Sequence, residues 1–191
     1  MAGELAEPRA LALVGMPGAG KTVCARHLQR RGFFTLRFGA LVVDEVRRRG
    51  WEVNPANESI VREEMRQRHG MAAMALISLP TLQAALRRHQ RIVIDGLYSF
   101  SEYKLLAERL GAPLVLVAIA APRQLRYQRL ASRAERPLSA AEARERDIQE
   151  IEKLEKGGPI AMADYTLLND QKPAELLQRL NELLRSLSFA P

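Results

Sequence analysis

The eight residues Gly15–Thr22, GMPGAGKT, constrain this chain more than any other stretch. Two glycines enclose four residues, and a lysine and a hydroxyl residue follow. The apolar run ALALVG (10–15) leads in, and the helical pattern KTVCARHLQRR (21–31) leads out. Glycines let the backbone turn successive N–H groups inward around an anion, where side chains would clash. A helix starting near Gly20 points its positive end at the same place. With these flanks the motif predicts a strand, a phosphate-cradling loop and a helix. Its contact residues are Gly15, Gly18, Ala19, Gly20, Lys21, Thr22 and Val23. Lys21 is expected to reach the β- and γ-phosphates of ATP, with the Thr22 hydroxyl on Mg²⁺. The competing reading is a chance glycine-rich turn.

The rest of the chain repeats the strand–helix theme. FFTL (33–36), RIVIDG (91–96), LVLVAIA (114–120) and YTLL (165–168) are short apolar runs without strict alternation. Strands covered on both faces of a parallel sheet read in this way. Helical patterns fill 21–31, about 40–49, 57–88 with a break, 101–110, 122–134, 139–156 and 173–187. The expected fold class is a doubly wound α/β domain. Asn54–Pro55 should cap and start a helix, Gly70 should break it, and Pro80 marks a second break or kink. Ser139 and Glu142 form a capping box, and KGGP (156–159) is expected to end the helix that begins there. No repeat or linker divides the 191 residues, so one domain is expected.

Charge and composition narrow the partners. The net charge of +7 comes mostly from arginine and suits phosphates or nucleotides, or is simply a solvated basic surface. Aromatic residues make up 5%, too few for an interleaved stacking surface, so nucleic acid is not an expected partner. No apolar run is long enough for a membrane span. The opening MAGELAEPRA is acidic and lacks an apolar core, so no secretory leader is expected. With Cys24 as the one cysteine, no intrachain disulfide forms, and a cytoplasmic protein is the expectation.

Asp95 closes an apolar run, on the side where such sheets bind ligands. It is the second candidate ligand for Mg²⁺ or its water shell, or the base for an acceptor hydroxyl; otherwise it caps a turn. Arg62 and Arg66 lie four apart on one helical face. They either hold an anionic acceptor or pair with Glu58, Glu63 and Glu64 on a solvated face. Arg126, Arg129 and Arg133 recur at spacings of three and four, with Arg136 in the turn beyond and Arg144 and Arg146 on the returning helix. Arg129 and Arg133 are the expected catalytic cations of a lid, and Glu150–Lys153 and Glu152–Lys156 read as structural pairs.

The phosphate loop, IDGLYS (94–99), APRQLRYQRLASR (121–133) and ADYTLLND (163–170) together resemble the nucleoside monophosphate kinase and dephospho-CoA kinase group of P-loop kinases. The likeness runs over nearly the whole chain and is nearest to adenylate-kinase-like AAA-family ATPases. It implies a P-loop NTPase fold with five parallel strands in the order 2-3-1-4-5 and helices on both faces. It also implies an acceptor-binding helical region over about 37–88, an arginine-rich lid over about 122–147, and adenine near Asn169. The implied activity is ATP-dependent phosphoryl transfer to a small nucleotide-like acceptor.

Some family positions differ. FGALVVDEV (38–46) keeps Gly39 but has Ala40 and Val43 where adenylate kinases carry Asp and Arg. Leu97, Tyr98 and Ser99 stand where another arginine is expected. LRFGA (36–40) lacks the Asp of dephospho-CoA kinases. The acceptor is therefore open between a phosphate and a hydroxyl. A regulatory P-loop ATPase acting on a partner and a polynucleotide 5′-kinase are the other readings, and oligomeric state has no signature here.

Overall fold

Strand β1 (Ala10–Val14) explains the architecture. All five of its side chains are buried, yet they face two ways. Ala10, Ala12 and Val14 enter one hydrophobic cluster, while Leu11 and Leu13 enter another. A strand apolar on both faces must lie inside a sheet covered on both sides. The computed structural model, which describes residues 9–89, 91–134 and 137–191, has that arrangement. Strands β2 (Phe34–Arg37), β3 (Ile92–Asp95), β4 (Leu114–Ala120) and β5 (Tyr165–Leu168) join β1 in the order β2-β3-β1-β4-β5. Every pairing is parallel, which is the predicted fold.

Helices α1 (Lys21–Arg30) and α9 (Pro173–Ser186) cover one face, burying Cys24, Leu28, Leu176, Leu180 and Leu184 against β1 and β4. Helices α2 (Phe38–Arg48), α3 (Pro55–His69), α4 (Ala73–Arg88) and α5 (Phe100–Arg109) pack on the other. Beyond β4 come α6 (Arg123–Ala131), α7 (Ala140–Glu152) and the short α8 (Gly157–Ala161). No single helix among the described residues is long and apolar enough to cross a membrane.

The local signals held in part. The Asn54 side chain accepts from the Asn57 N–H at 2.9 Å, and Pro55 opens α3. Gly70 (φ 74°) ends α3, and α4 departs at 82° to it. The Ser139–Glu142 capping box is present, and a second one, Ser99–Glu102, starts α5.

Two expectations need correction. Of the break or kink expected at Pro80, the break is absent: α4 runs through it to Arg88. A helix-interior proline costs about 3 kcal/mol. Burying Leu79, Leu82 and Leu86 contributes about 1.5–3 kcal/mol each, so packing prevails. Nor does one helix run from 139 to 156. Helix α7 stops at Glu152; Glu155 takes a left-handed conformation (φ 55°), and KGGP begins α8 rather than ending α7.

Candidate functional site

The loop from Gly15 to Gly20 is pressed against its surroundings so tightly that glycine is required. Gly15, Gly18 and Gly20 have φ of 139°, 77° and 113°. A Cβ on Gly15 would overlap the Ile119 carbonyl, and one on Gly18 would sit 2.7 Å from the Arg126 carbonyl oxygen. A Cβ on Gly20 would strike the Asn169 amide. Asn169, the residue expected near the adenine, braces the loop: its Nδ2 donates to the Ala19 carbonyl at 2.7 Å. Thr22 and Val23 are exposed at the start of α1.

Lys21 folds back into the loop, donating to the carbonyls of Gly15 at 2.6 Å and Met16 at 3.2 Å. Burial, and then the neighbouring Lys156, push its pKa down to about 7, against the pull of Glu150 and Asp95. Burial disfavours the charged form, so this lysine is poised to gain from an anion. A glycine cradle with such a lysine fits a polyphosphate chain. Among the described residues no three His, Cys, Asp or Glu side chains could hold a metal ion by themselves. The oxygen donors near the loop are the Thr22 hydroxyl and Asp95, suited to a hard cation that keeps phosphate and water ligands.

Asp95 ends β3 and is 6% exposed. Burial raises the pKa of its carboxyl, opposed by Lys21 and Arg37. Arg37 escaped the sequence reading. It ends β2 in direct register with Asp95, a pairing that no local signal in the sequence marks. After Asp95 the chain turns at Gly96 (φ 85°), and the Tyr98 ring lies 3.3 Å from where a Gly96 Cβ would be. Burial, then Glu150 and Asp95, keep the Tyr98 phenol protonated by raising its pKa.

The arginines beyond β4 divide by role. Arg126 is buried and forms a fork with Asp147 at 2.9 and 2.6 Å. Its Nη1 also donates to the Pro17 carbonyl at 2.9 Å, and the Tyr127 hydroxyl donates to Asp147 at 3.2 Å. Arg126 is thus a tie between phosphate loop, α6 and α7, despite sharing a helical face with Arg129 and Arg133. The Nη2 of Arg129 reaches Asn169 Oδ1 at 3.4 Å, and its buried Nη1 has no hydrogen-bond partner among the described residues. Arg133 is exposed just past α6, its pKa lowered by burial and then by Arg146. Arg144 lines a separate cavity with Arg123 and Tyr127. Arg136 lies outside the described residues.

The expected Glu150–Lys153 and Glu152–Lys156 pairs are replaced. Glu150 bonds Lys156, which is 1% exposed, and accepts from Arg146 at 3.1 Å. The early end of α7 causes the change, because the turn that follows carries Lys156 inward.

The two candidate acceptor arginines also separate. Arg62 stands 3.9 Å from Glu58, as the solvated-face reading anticipates. Glu64 is taken by Arg49 at 2.6 Å. Arg66 differs: its Nε and Nη2 are buried without a hydrogen-bond partner among the described residues. It lines a cavity of about 440 Å³ with Glu63, Gln67, Lys153 and Leu154. Glu102 is a nearby charge, with its pKa pushed up to about 7 by burial while its Oε2 accepts from the Tyr98 and Ser99 N–H groups at 2.7 and 3.0 Å.

Comparison with known proteins agrees with this geometry. Residues 11–152 match the model of the AAA domain family. Over 178 residues the chain is 32% identical to the UPF0200 protein of Thermococcus onnurineus (strain NA1), spanning 92% of this chain and 96% of that one. It is 31% identical over 182 residues to a UPF0200 protein of Thermococcus kodakarensis, spanning 92% and 98%. Among solved structures, TT1252 from Thermus thermophilus superposes with a TM-score of 0.64 at 21% identity, over 95% of this chain and 98% of that one. Shikimate kinase from Bacteroides thetaiotaomicron gives 0.60 at 17% identity, over 93% and 98%. These structures share the fold, a P-loop fold of the kinase type. The chain belongs to the AAA domain family of P-loop proteins and groups with the UPF0200 proteins.

Proposed function

We propose that this protein transfers the γ-phosphoryl group of ATP to a small, anionic, nucleotide-like acceptor of the nucleoside monophosphate or dephospho-CoA type. One observation carries the reading. The glycine cradle with Lys21 and the buried carboxyl of Asp95 meet at the ends of adjacent strands β1 and β3. Lys21 neutralises charge on the β- and γ-phosphates. Bound Mg²⁺, held through Thr22 and Asp95 or its water shell, supplies further charge neutralisation. In this reading residues 37–88 hold the acceptor, and Arg129 and Arg133 in the 122–147 segment face the phosphates.

The environment of Asp95 favours a hydroxyl acceptor over a phosphate. A phosphate oxygen needs no base, and a carboxylate beside it would repel it. A hydroxyl must lose its proton, and a carboxyl with a raised pKa is a competent acceptor for that proton. The acceptor oxygen bonds to phosphorus, the bond to the β,γ-bridging oxygen breaks, ADP leaves with the electron pair, and the proton goes to Asp95. The unpartnered edge of Arg66, with Arg62 one turn away, then takes the anionic group of the acceptor.

The test is a turnover screen with Mg²⁺-ATP against nucleoside monophosphates, deoxynucleotides and dephospho-CoA. With an acceptor in hand, Arg62→Ala/Arg66→Ala should raise its KM strongly and leave the ATP KM nearly unchanged. A normal acceptor KM in the double variant would remove these arginines from the site. Slow ATP hydrolysis with no acceptor phosphorylated would replace the kinase reading with that of a regulatory ATPase.

A further inference from the structure

The cavity beside Arg66 has walls from two distant parts of the chain, and both are tied to one helix end. Glu63, Arg66 and Gln67 of α3 form one wall, and Lys153 and Leu154, just past α7, form the other. The hydroxyl of Ser99, the N-cap of α5, donates to the Met71 carbonyl at 3.0 Å and so fixes the chain where α3 ends. The Ser101 N–H and hydroxyl donate to Glu155 Oε2 at 3.1 and 2.8 Å and so fix the turn that carries Lys153. Glu155 stays there at φ 55°, a left-handed conformation that non-glycine residues rarely adopt. The start of α5 follows Asp95 in the chain through Gly96, Leu97 and Tyr98. The cavity is therefore preformed and anchored to the segment that bears the candidate base.

Its cations lack partners of their own. Arg66 Nε and Nη2 are buried without a hydrogen-bond partner among the described residues, an arrangement that costs stability and that a bound anion would offset. Glu102 is a neighbouring charge, but its Oε2 accepts from the Tyr98 and Ser99 N–H groups, and it forms no ion pair with Arg66. The carboxylate expected to pair with Lys153, Glu150, bonds Lys156 and Arg146 instead. Among the described residues the Lys153 ammonium pairs with no carboxylate. Two cations on opposite walls thus border one space of about 440 Å³, a size that suits a small molecule. A planar guanidinium matches two oxygens of an anion, and an ammonium from the other side takes a third. A carboxylate has two oxygens to offer and a phosphomonoester has three. The Glu63 carboxylate and the Gln67 amide oxygen, also on the lining, accept from hydroxyl groups.

We propose that Lys153 and Arg66 grip a phosphomonoester of the acceptor between them, with Glu63 and Gln67 on hydroxyls of the sugar that carries it. The inference rests on the phosphoryl-transfer reading above and narrows its acceptor to a sugar phosphate or a nucleotide built on one. The gripped phosphate is a handle and makes no new bond. A hydroxyl elsewhere on the same molecule attacks the γ-phosphorus and loses its proton to Asp95, and ADP leaves with the electron pair of the broken bond.

The experiment first fills the nucleotide site with Mg²⁺ and a β,γ-imido ATP analogue, so that the phosphate loop is closed to other anions. Ribose 5-phosphate, ribose, ribonate and inorganic phosphate are then titrated in turn and followed by protein NMR. Ribose 5-phosphate should bind at least about tenfold more tightly than each of the other three, which lack the phosphate or the hydroxyls. Lys153→Met should weaken it about 10–100-fold, as for one lost charged hydrogen bond, and Lys153→Arg should keep most of the affinity. Lys153 is exposed, so neither change disturbs the core, and the affinity for the analogue should stay within about twofold. Ribose 5-phosphate binding no better than any of the other three, or binding Lys153→Met as it binds the wild type, would overturn the proposal. Failure of the wild-type protein to bind the analogue would instead overturn the phosphoryl-transfer reading beneath it.

Discussion

Lys21 changes its surroundings when a nucleotide arrives, and the change is measurable as protons. In the free protein its pKa is about 7, set first by burial and then by Lys156. Phosphate oxygens beside the ammonium favour the charged form, so the pKa in the complex is higher. The free pKa is the lower of the two, so affinity is fully present below it. As the pH rises through that value toward the pKa of the complex, affinity is lost. Each unit above the free pKa costs tenfold, about 1.4 kcal/mol. Between about pH 7 and about pH 9 the charged fraction of free Lys21 falls about fifty-fold, so affinity should drop by that factor, or about 2.3 kcal/mol. The second ionisation of phosphate lies near about pH 6, below this window. Titration calorimetry at about pH 8, in two buffers of different ionisation enthalpy, should register uptake of about 0.9 proton per Mg²⁺-ADP bound. Lys21→Met should flatten most of the slope. Affinity that stays level or rises toward pH 9, or release of protons on binding, would refute the reasoning.

Arg126→Ala leaves Asp147 buried without its fork and should lower stability by about 3–5 kcal/mol, read as a fall in denaturant midpoint. Arg126→Met/Asp147→Leu should recover most of that loss while still weakening nucleotide binding, because Pro17 has lost its donor. Asp95→Asn should cut kcat by about 10²–10⁴ with little change in Mg²⁺-ATP affinity; equal large losses in both would mark Asp95 as a structural turn residue. Gly18→Ala should abolish tight nucleotide binding, since φ 77° and the Arg126 carbonyl at 2.7 Å both exclude a Cβ. Wild-type affinity in that variant would show that the loop adapts.

The sheet was legible because its signals are local. β4 and β5 fall within the ranges read from the sequence, and β1, β2 and β3 differ by a residue at one or both ends. The strand order came from family resemblance, not from any property of the strands. The phosphate loop was legible for a related reason: its geometry is fixed by backbone conformation, and backbone needs are written as glycines. Side-chain partnerships were not legible. Helical spacing placed Arg126 with Arg129 and Arg133, but only the packing of α7 against α6 reveals that Asp147 claims it. Lys156 was assigned to Glu152 by counting residues along a helix that ends before reaching it. Arg66 is equivalent to Arg62 by spacing, and only the fold shows its Nε and Nη2 buried beside a cavity shared with Lys153 and Leu154.

The Arg126 tie also joins the α6–α7 hairpin mechanically to the phosphate loop. Bending the α6–α7 hairpin at its root would expose the Asp147 carboxylate and free the Pro17 carbonyl together. Bending beyond Leu130 disturbs neither. A movement that begins at the root of the hairpin therefore has to break the contacts that also hold the loop. One guanidinium thereby makes the position of the α6–α7 hairpin and the shape of the phosphate loop a single variable.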